Sequence, residues 1–165
     1  MENGISIKIM GLNSNNAAAL RRLVKWTGPT ACGTKGLSIG FSDWLGNAEE
    51  HLTPFFSKKQ IKPGLVEYTP SDCALLQRNF LEAIDAATWA VFATGYKEGY
   101  AASATRLTSE EDLVKVLLYG YSMLGLDFSD KINLEIEKLT DLAVEERYLE
   151  LPQEFREAVE SSYLA

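Results

Sequence analysis

The side chains best suited to chemistry follow the predicted strands, and they are Asp43, Thr105, Arg106, Asp127, Ser129 and Asp130. Carboxylates accept hydrogen bonds and protons, hydroxyls both donate and accept, and a guanidinium donates from a rigid fork. Polar groups at the carboxyl ends of parallel strands are what a small-molecule pocket requires. Helix caps and βα loops require the same residue types, so both interpretations stay open on this pattern alone.

Two further candidates for chemistry are weaker. The run Gly28-Pro-Thr-Ala-Cys-Gly-Thr-Lys35 is glycine-rich like a phosphate-binding loop, but Thr precedes Lys, and the flanking order is helix then strand. His51 is the single histidine, and a metal ligand needs companions. We therefore interpret the run as a connecting loop and His51 as a solvated residue on a surface helix.

Alternating strand-like and helix-like segments position these residues. Strands are predicted at 37–41, 65–69, 100–105 and 123–127, from short runs bounded by turn residues. Helices are predicted at 13–26, at 72–96 as one long helix, and from the capping box Thr108-Ser-Glu-Glu111 onward. This order implies right-handed βαβ units and a parallel sheet. Its carboxyl edge would also carry Ser42, Thr69, Ser71, Asp72 and Ser103.

The predicted sheet is too small to close on itself. Four open parallel strands expose apolar edges, and a complete (β/α)8 barrel needs eight strands in about 250 residues. We therefore predict an α/β fold of parallel βαβ units, an incomplete (β/α)8 TIM-like barrel. The 165 residues are expected to form a single domain, the amino-terminal half of a larger barrel. It would comprise a lead-in helix and loop (1–36), four βα units (37–130) and an acidic helical segment (131–165).

Composition narrows the choice of partners. A net charge of −7 argues against nucleic acid, because phosphate neutralisation needs clustered Lys and Arg. No apolar run reaches the ~18 residues of a membrane span, and Met1-Glu2-Asn3 is not the basic start of a signal peptide. We expect a cytoplasmic protein that binds neither nucleic acid nor membrane, and whose partner is the missing barrel half or a second copy.

Several segments resemble the tagaturonate epimerase family, metal-dependent enzymes that invert C4 of a ketohexuronate. The closest are Asp85-Ala-Ala-Thr-Trp-Ala-Val-Phe92 and Gly95-Tyr-Lys-Glu-Gly99, and Leu126-Asp-Phe-Ser-Asp130 resembles a further family segment. Ser38-Ile-Gly-Phe-Ser-Asp-Trp-Leu-Gly46 resembles the family's Gly-Asp-Arg-Leu-Gly segment, with Trp44 in place of Arg. The resemblance runs from about Ser38 to Ala165, and family members are much longer.

The resemblance implies acid/base chemistry at a divalent metal that holds the substrate's carbonyl and hydroxyl oxygens. Where the family has an Asp base followed by a metal-binding His, this chain has Thr105 and Arg106. Threonine is not a base near neutral pH, and arginine repels a divalent cation. We therefore assign no metal ligand and expect the chain alone not to bind the metal.

Two functional interpretations follow. In the first, the chain is the amino-terminal part of a sugar-acid epimerase or isomerase and is inactive in isolation. Asp43, Thr105 and Asp127 then occupy catalytic positions, Ser129 and Asp130 bind the substrate, and Arg106 clamps its carboxylate. In the alternative, it is a non-catalytic binding or structural half-barrel module that oligomerises or pairs with a second chain, and Arg106 has no function.

Overall fold

A four-stranded parallel sheet forms the centre of the molecule. The computed structural model describes residues 9–41, 43–47, 49–59 and 61–163, so the predicted site residue Ser42 lies outside it. The strands lie side by side in sequence order: β1 (Ser38–Gly40), β2 (Lys62–Tyr68), β3 (Ala101–Leu107) and β4 (Met123–Leu126). Every neighbouring pair is parallel. The sheet curls into a half-barrel, which confirms the α/β fold and the incomplete (β/α)8 barrel.

Helices connect and follow the strands. The described α-helices are α1 (Ser14–Leu23), α2 (Glu49–Lys59), α3 (Pro70–Leu76), α4 (Phe80–Thr94), α5 (Glu110–Tyr119), α6 (Asp141–Leu149) and α7 (Gln153–Tyr163). Short 3-10 turns lie at Lys25–Thr27, Ser129–Lys131 and Leu134–Lys138. None of the described helices combines the length and apolar character that a membrane span needs.

The prediction of one helix over 72–96 is wrong. The chain leaves the helical conformation at Gln77, whose φ of 51° ends α3 in the left-handed region. A new capping box then starts α4: the Asn79 side chain accepts from the Glu82 amide at 2.9 Å, and Glu82 Oε2 accepts from the Asn79 amide at 3.0 Å. The apolar spacing continues across the break, so periodicity alone does not reveal it. The next cap is also shifted, because Ser109 and Asp112 form it instead of Thr108 and Glu111.

The hydrophobic core lies between the sheet and α4. Ile84, Ala87 and Val91 on one face of α4 are fully buried in the same cluster as Ala102 and Ala104 of β3. Alanines on the central strand let the helix approach the sheet closely. The opposite face of the sheet, which we call the inner face, carries Gly40, Glu67, Ser103, Thr105 and Gly125, and Glu67 of β2 pairs in register with Ser103 of β3.

The chain divides after Asp127 into two compact units. The first contains α1 to α5 and the whole sheet. The second is helical, and none of its described residues (128–163) is buried. The single-domain assignment stays a prediction.

Candidate functional site

A β-bulge shapes the carboxyl end of β3. Ala104 pairs with Leu124 and Leu107 with Leu126, so β3 holds one residue more than β4 between these pairs. Ala104 and Leu107 are 0% and 3% exposed, although strict alternation would place residues three apart on opposite faces. The extra residue is Arg106, whose φ of 56° lies in the left-handed region. The bulge therefore leaves the Arg106 side chain exposed at the carboxyl edge of the sheet.

Asp127 adjoins this bulge. Its amide donates to the Leu107 carbonyl at 2.9 Å and so extends the β3–β4 ladder one residue beyond β4. Thr105 lies on the inner face against Gly125: a methyl group at position 125 would lie 3.2 Å from Thr105 Cγ2. Three predicted site residues, Thr105, Arg106 and Asp127, are thus brought together at the ends of two neighbouring strands.

Asp43 lies at the same edge, beyond β1, in a turn that the core holds in place. Its Oδ1 accepts from the Leu45 amide at 3.2 Å. The Tyr68 hydroxyl donates to the carbonyls of Asp43 and Trp44 at 3.1 and 2.6 Å, and Arg78 Nη1 donates to the Trp44 carbonyl at 2.7 Å. The loop after β1 is therefore fixed to the end of β2 by a buried tyrosine.

The other predicted polar residues have different surroundings. Thr69 and Asp72 form the capping box of α3, with Asp72 Oδ2 accepting from the Thr69 amide at 2.9 Å. For these two residues the structure therefore shows a helix cap, one of the two interpretations that the sequence pattern allowed. Ser129 and Asp130 are exposed in the 3-10 turn that begins the second unit. A substrate-binding role for Ser129 and Asp130 stays a prediction.

Glu67 is a candidate that the sequence analysis missed. It lies on β2 between Val66 and Tyr68, which are both 2% exposed, yet Glu67 itself is exposed on the inner face. It pairs in register with Ser103 of β3. A cavity of about 120 Å³ on this face is lined in part by Ser38, Gly40, Glu67, Ser103 and Met123. In the sequence, Glu67 could have been noticed as the single charged residue inside the otherwise apolar run 65–68.

The donor set of the described residues does not fit a resident divalent metal. Within these ranges no group of three or more His, Cys, Asp or Glu side chains converges. Arg106 adds a permanent positive charge beside Asp127, and the single histidine is exposed on α2. A guanidinium near hydroxyl and carboxylate groups suits instead a ligand that has both a carboxylate and hydroxyls.

The amino-acid sequence matches a known family over its full length. A family model described as tagaturonate epimerase matches residues 1–165. The chain belongs to the tagaturonate epimerase family. This confirms the family predicted from the motifs at Asp85–Phe92, Gly95–Gly99 and Leu126–Asp130.

Comparisons with individual relatives support the assignment to the tagaturonate epimerase family. The tagaturonate/fructuronate epimerase of Thermotoga maritima is 27% identical over 161 residues, which are 98% of this chain and 33% of that protein. The glycerol-complexed crystal structure of fructuronate-tagaturonate epimerase from Cohnella laeviribosi is 34% identical, with a TM-score of 0.78, over 98% of this chain and 33% of that one. The native crystal structure of the same enzyme gives 35% and 0.77. The chain therefore spans about a third of the length of these relatives and matches their amino-terminal part.

Proposed function

We propose that this chain supplies one wall of a ketohexuronate-binding site in an epimerase of this family and does not complete the catalytic site alone. The observation that carries the proposal is the bulge that exposes Arg106 beside Asp127 at the carboxyl edge of the sheet. In parallel α/β folds this edge is where ligands bind. The names of the relatives, which refer to tagaturonate and fructuronate, support this substrate class.

Each residue of the bulge has a distinct role in this proposal. Arg106 clamps the substrate carboxylate with two parallel N–H···O bonds, for which its planar fork is suited. Thr105 replaces the family's Asp base and contributes only a hydroxyl. Asp43 and Asp127 are the two predicted catalytic residues that carry a carboxylate, and they are the candidates for proton transfer. They follow β1 and β4, the two outer strands, and so lie toward opposite ends of the carboxyl edge. In the family a divalent metal polarises the substrate's oxygens; we propose that this chain alone does not hold that metal.

Calorimetric titration of the chain with tagaturonate tests the proposal. We expect binding by the wild-type chain, and a loss of at least about tenfold in affinity in Arg106→Gln, because a charge-assisted clamp contributes about 1.5–3 kcal/mol. Arg22→Gln, an exposed arginine on α1, is the matched control and should bind like wild type. Equal affinities in Arg106→Gln and wild type would refute the carboxylate clamp.

A second candidate function, a half-barrel module that pairs with another chain, rests on the edges of the sheet. Among the described residues no strand pairs with the outer edge of β1 or β4. Leu37 beside β1 and Leu126 in β4 are 59% and 50% exposed. Unpaired apolar edges favour association with further strands, from a second copy or from a chain that carries the missing barrel half.

Light scattering over a range of concentrations tests self-association. If a second copy covers the edges, the mass rises above the 18.3 kDa of one chain. Leu126→Lys should then return the mass to that of the monomer, since a lysine on the edge opposes strand addition. A wild-type chain that stays monomeric at every concentration rules out the second copy and leaves the missing barrel half as the partner.

A further inference from the structure

The second compact unit lacks a core of its own. Ten large apolar side chains within residues 128–163 are exposed, and none of the residues in that range is buried. Units below about 40 residues usually need disulfides, a metal or association with another surface to stay folded. This segment contains no Cys or His, and no metal-binding group of three side chains converges among the described residues. Association is therefore the route by which the unit can bury its apolar side chains.

Polar contacts of one tyrosine join the two α-helices of this unit. The Tyr148 hydroxyl on α6 donates to Glu160 Oε1 on α7 at 2.5 Å, and the Arg156 guanidinium lies 5.8 Å from the centre of the Tyr148 ring. The hydrogen bond is exposed to solvent. Exposed polar contacts contribute little to stability, because water competes for the same groups. They arrange the helices and leave the apolar side chains open to a partner.

An apolar groove of about 530 Å³ lies entirely within the second unit. It is lined by the apolar side chains Ile136, Leu139, Val144, Tyr148 and Leu151, together with Arg147 and Glu150. Val144 and Tyr148 are four residues apart on α6 and so share one face of that helix. Ile136 comes from the 3-10 turn that precedes α6. Such a groove accepts an apolar ridge, such as one face of an amphipathic helix.

The second unit also carries nearly all of the chain's net charge. Residues 128–165 hold ten Asp and Glu side chains against four Lys and Arg, so their net charge is −6 of the chain's −7. Two copies of such a surface repel each other, which argues against a second copy as the occupant of the groove. The complementary surface is apolar at its centre and has Lys and Arg around it.

The length of the family's fold indicates which polypeptide covers the groove. The chain spans about a third of its relatives and matches their amino-terminal part, so about two-thirds of the fold follows the matched region. We propose that the groove docks this carboxy-terminal two-thirds of a tagaturonate epimerase fold, through an apolar ridge flanked by Lys and Arg. The inference rests on the proposed function, in which another polypeptide completes the site, and adds the surface on which that polypeptide docks.

Binding of a defined polypeptide tests the inference. The probe is the part of the Cohnella laeviribosi epimerase that follows the matched third, with its affinity for the full chain measured by surface plasmon resonance. We expect Val144→Lys to weaken the complex at least about tenfold, because it places a charge in the apolar groove. Leu142→Lys is the matched control: it adds the same charge to α6 outside the groove and should bind as wild type does.

Salt tests the charge of the partner surface. The affinity of the wild-type chain should fall several-fold between about 50 and about 500 mM NaCl, because salt screens the attraction. Glu150→Gln removes a carboxylate that lines the groove and should reduce this dependence. No complex, or equal binding by Val144→Lys and Leu142→Lys, overturns the inference. Wild-type dimers that Val144→Lys dissociates would make a second copy the occupant and also overturn it.

Hydrogen exchange in the chain alone tests the open groove without the probe. The amides of α6 should exchange well before those of α4, because the second unit has no core. Protection of α6 equal to that of α4 would show that α6 is already covered, and would overturn the inference. Tagaturonate titration tests the proposed function separately, and Val144→Lys should leave that affinity unchanged. A chain that binds the probe but not tagaturonate refutes the sugar site and retains the docking surface.

Discussion

Arg21 on α1 and the buried Asp85 on α4 form a largely buried ion pair, with Nη1 2.7 Å from Oδ1. The same Nη1 donates to Thr88 Oγ1 at 2.9 Å, one turn further along α4. Asp85 begins the segment that resembles the family most closely, yet it lies among helices and not at the carboxyl edge of the sheet. Asp85 therefore has a structural role: its ion pair joins α1, the lead-in helix, to α4, the helix that covers the sheet.

Removing one partner of this pair should destabilise the fold strongly. Arg21→Met leaves the Asp85 carboxylate buried without its cation, and Oδ2 already has no hydrogen-bond partner among the described residues. We expect the free energy of unfolding in urea to fall by about 3–5 kcal/mol. The double variant Arg21→Met/Asp85→Leu should lose less than the sum of the single variants. A loss of under about 1 kcal/mol in Arg21→Met would show that the pair stabilises the fold no more than an exposed surface ion pair does.

Arg106→Gly should stabilise the chain and weaken tagaturonate binding. The left-handed conformation costs a non-glycine residue about 1–2 kcal/mol, and the greater freedom of glycine in the unfolded chain offsets part of that. We expect the free energy of unfolding to rise by about 0.5–1 kcal/mol. Gln77→Gly is the matched control, with a φ of 51° at the end of α3, and should stabilise without changing affinity. A destabilised Arg106→Gly would show that the side chain supports the fold.

Divalent metal should not stabilise the isolated chain. A ligand that binds only the native state raises the melting temperature. The melting temperature in millimolar Mn²⁺ or Zn²⁺ should therefore equal that in EDTA. The physical reason is the permanent positive charge of Arg106, at the position where the resemblance implies a metal-binding His. An increase of several degrees on adding either ion contradicts this account of Thr105 and Arg106.

Cys73 should be a slow nucleophile. Burial, reinforced by the negative charges of Asp72 and Asp112, raises the pKa of its thiol from 9.0 to about 11. In Cys32→Ser, the rate of iodoacetamide alkylation should therefore keep rising with pH up to about 11. Because the thiol ionises first in the unfolded chain, its contribution to stability is complete below pH 9 and is lost as the pH rises toward 11. A rate that levels off near pH 9 would show that the folded thiol is unperturbed.

The sheet could be predicted from the sequence, but its strand limits could not. The strand predicted at 65–69 begins at Lys62 in the structure, because pairing with β1 and β3 orders Lys62-Pro63-Gly64 against its weak strand propensity. The strand predicted at 100–105 continues to Leu107, because the bulge returns that residue to the core. Both differences arise from contacts between strands and not from local preference.

The positions of the candidate site residues in the fold were also predictable only in part. Thr105, Arg106 and Asp127 follow from strand order, since the carboxyl ends of neighbouring parallel strands meet at one edge. Glu67 does not, because the face on which a strand residue lies depends on register, and β2 has its own irregularity between Gly64 and Val66. The helix break at Gln77 also required the structure, since it interrupts no apolar pattern.

The most direct test of the central claim is an amide NMR titration of the chain with tagaturonate. Binding at the proposed wall predicts saturable shifts at Arg106, Leu107 and Asp127, and their loss in Arg106→Gln. Shifts that are absent, or that lie only on residues far from the carboxyl edge of the sheet, would contradict the claim that this chain forms a wall of the sugar-acid site.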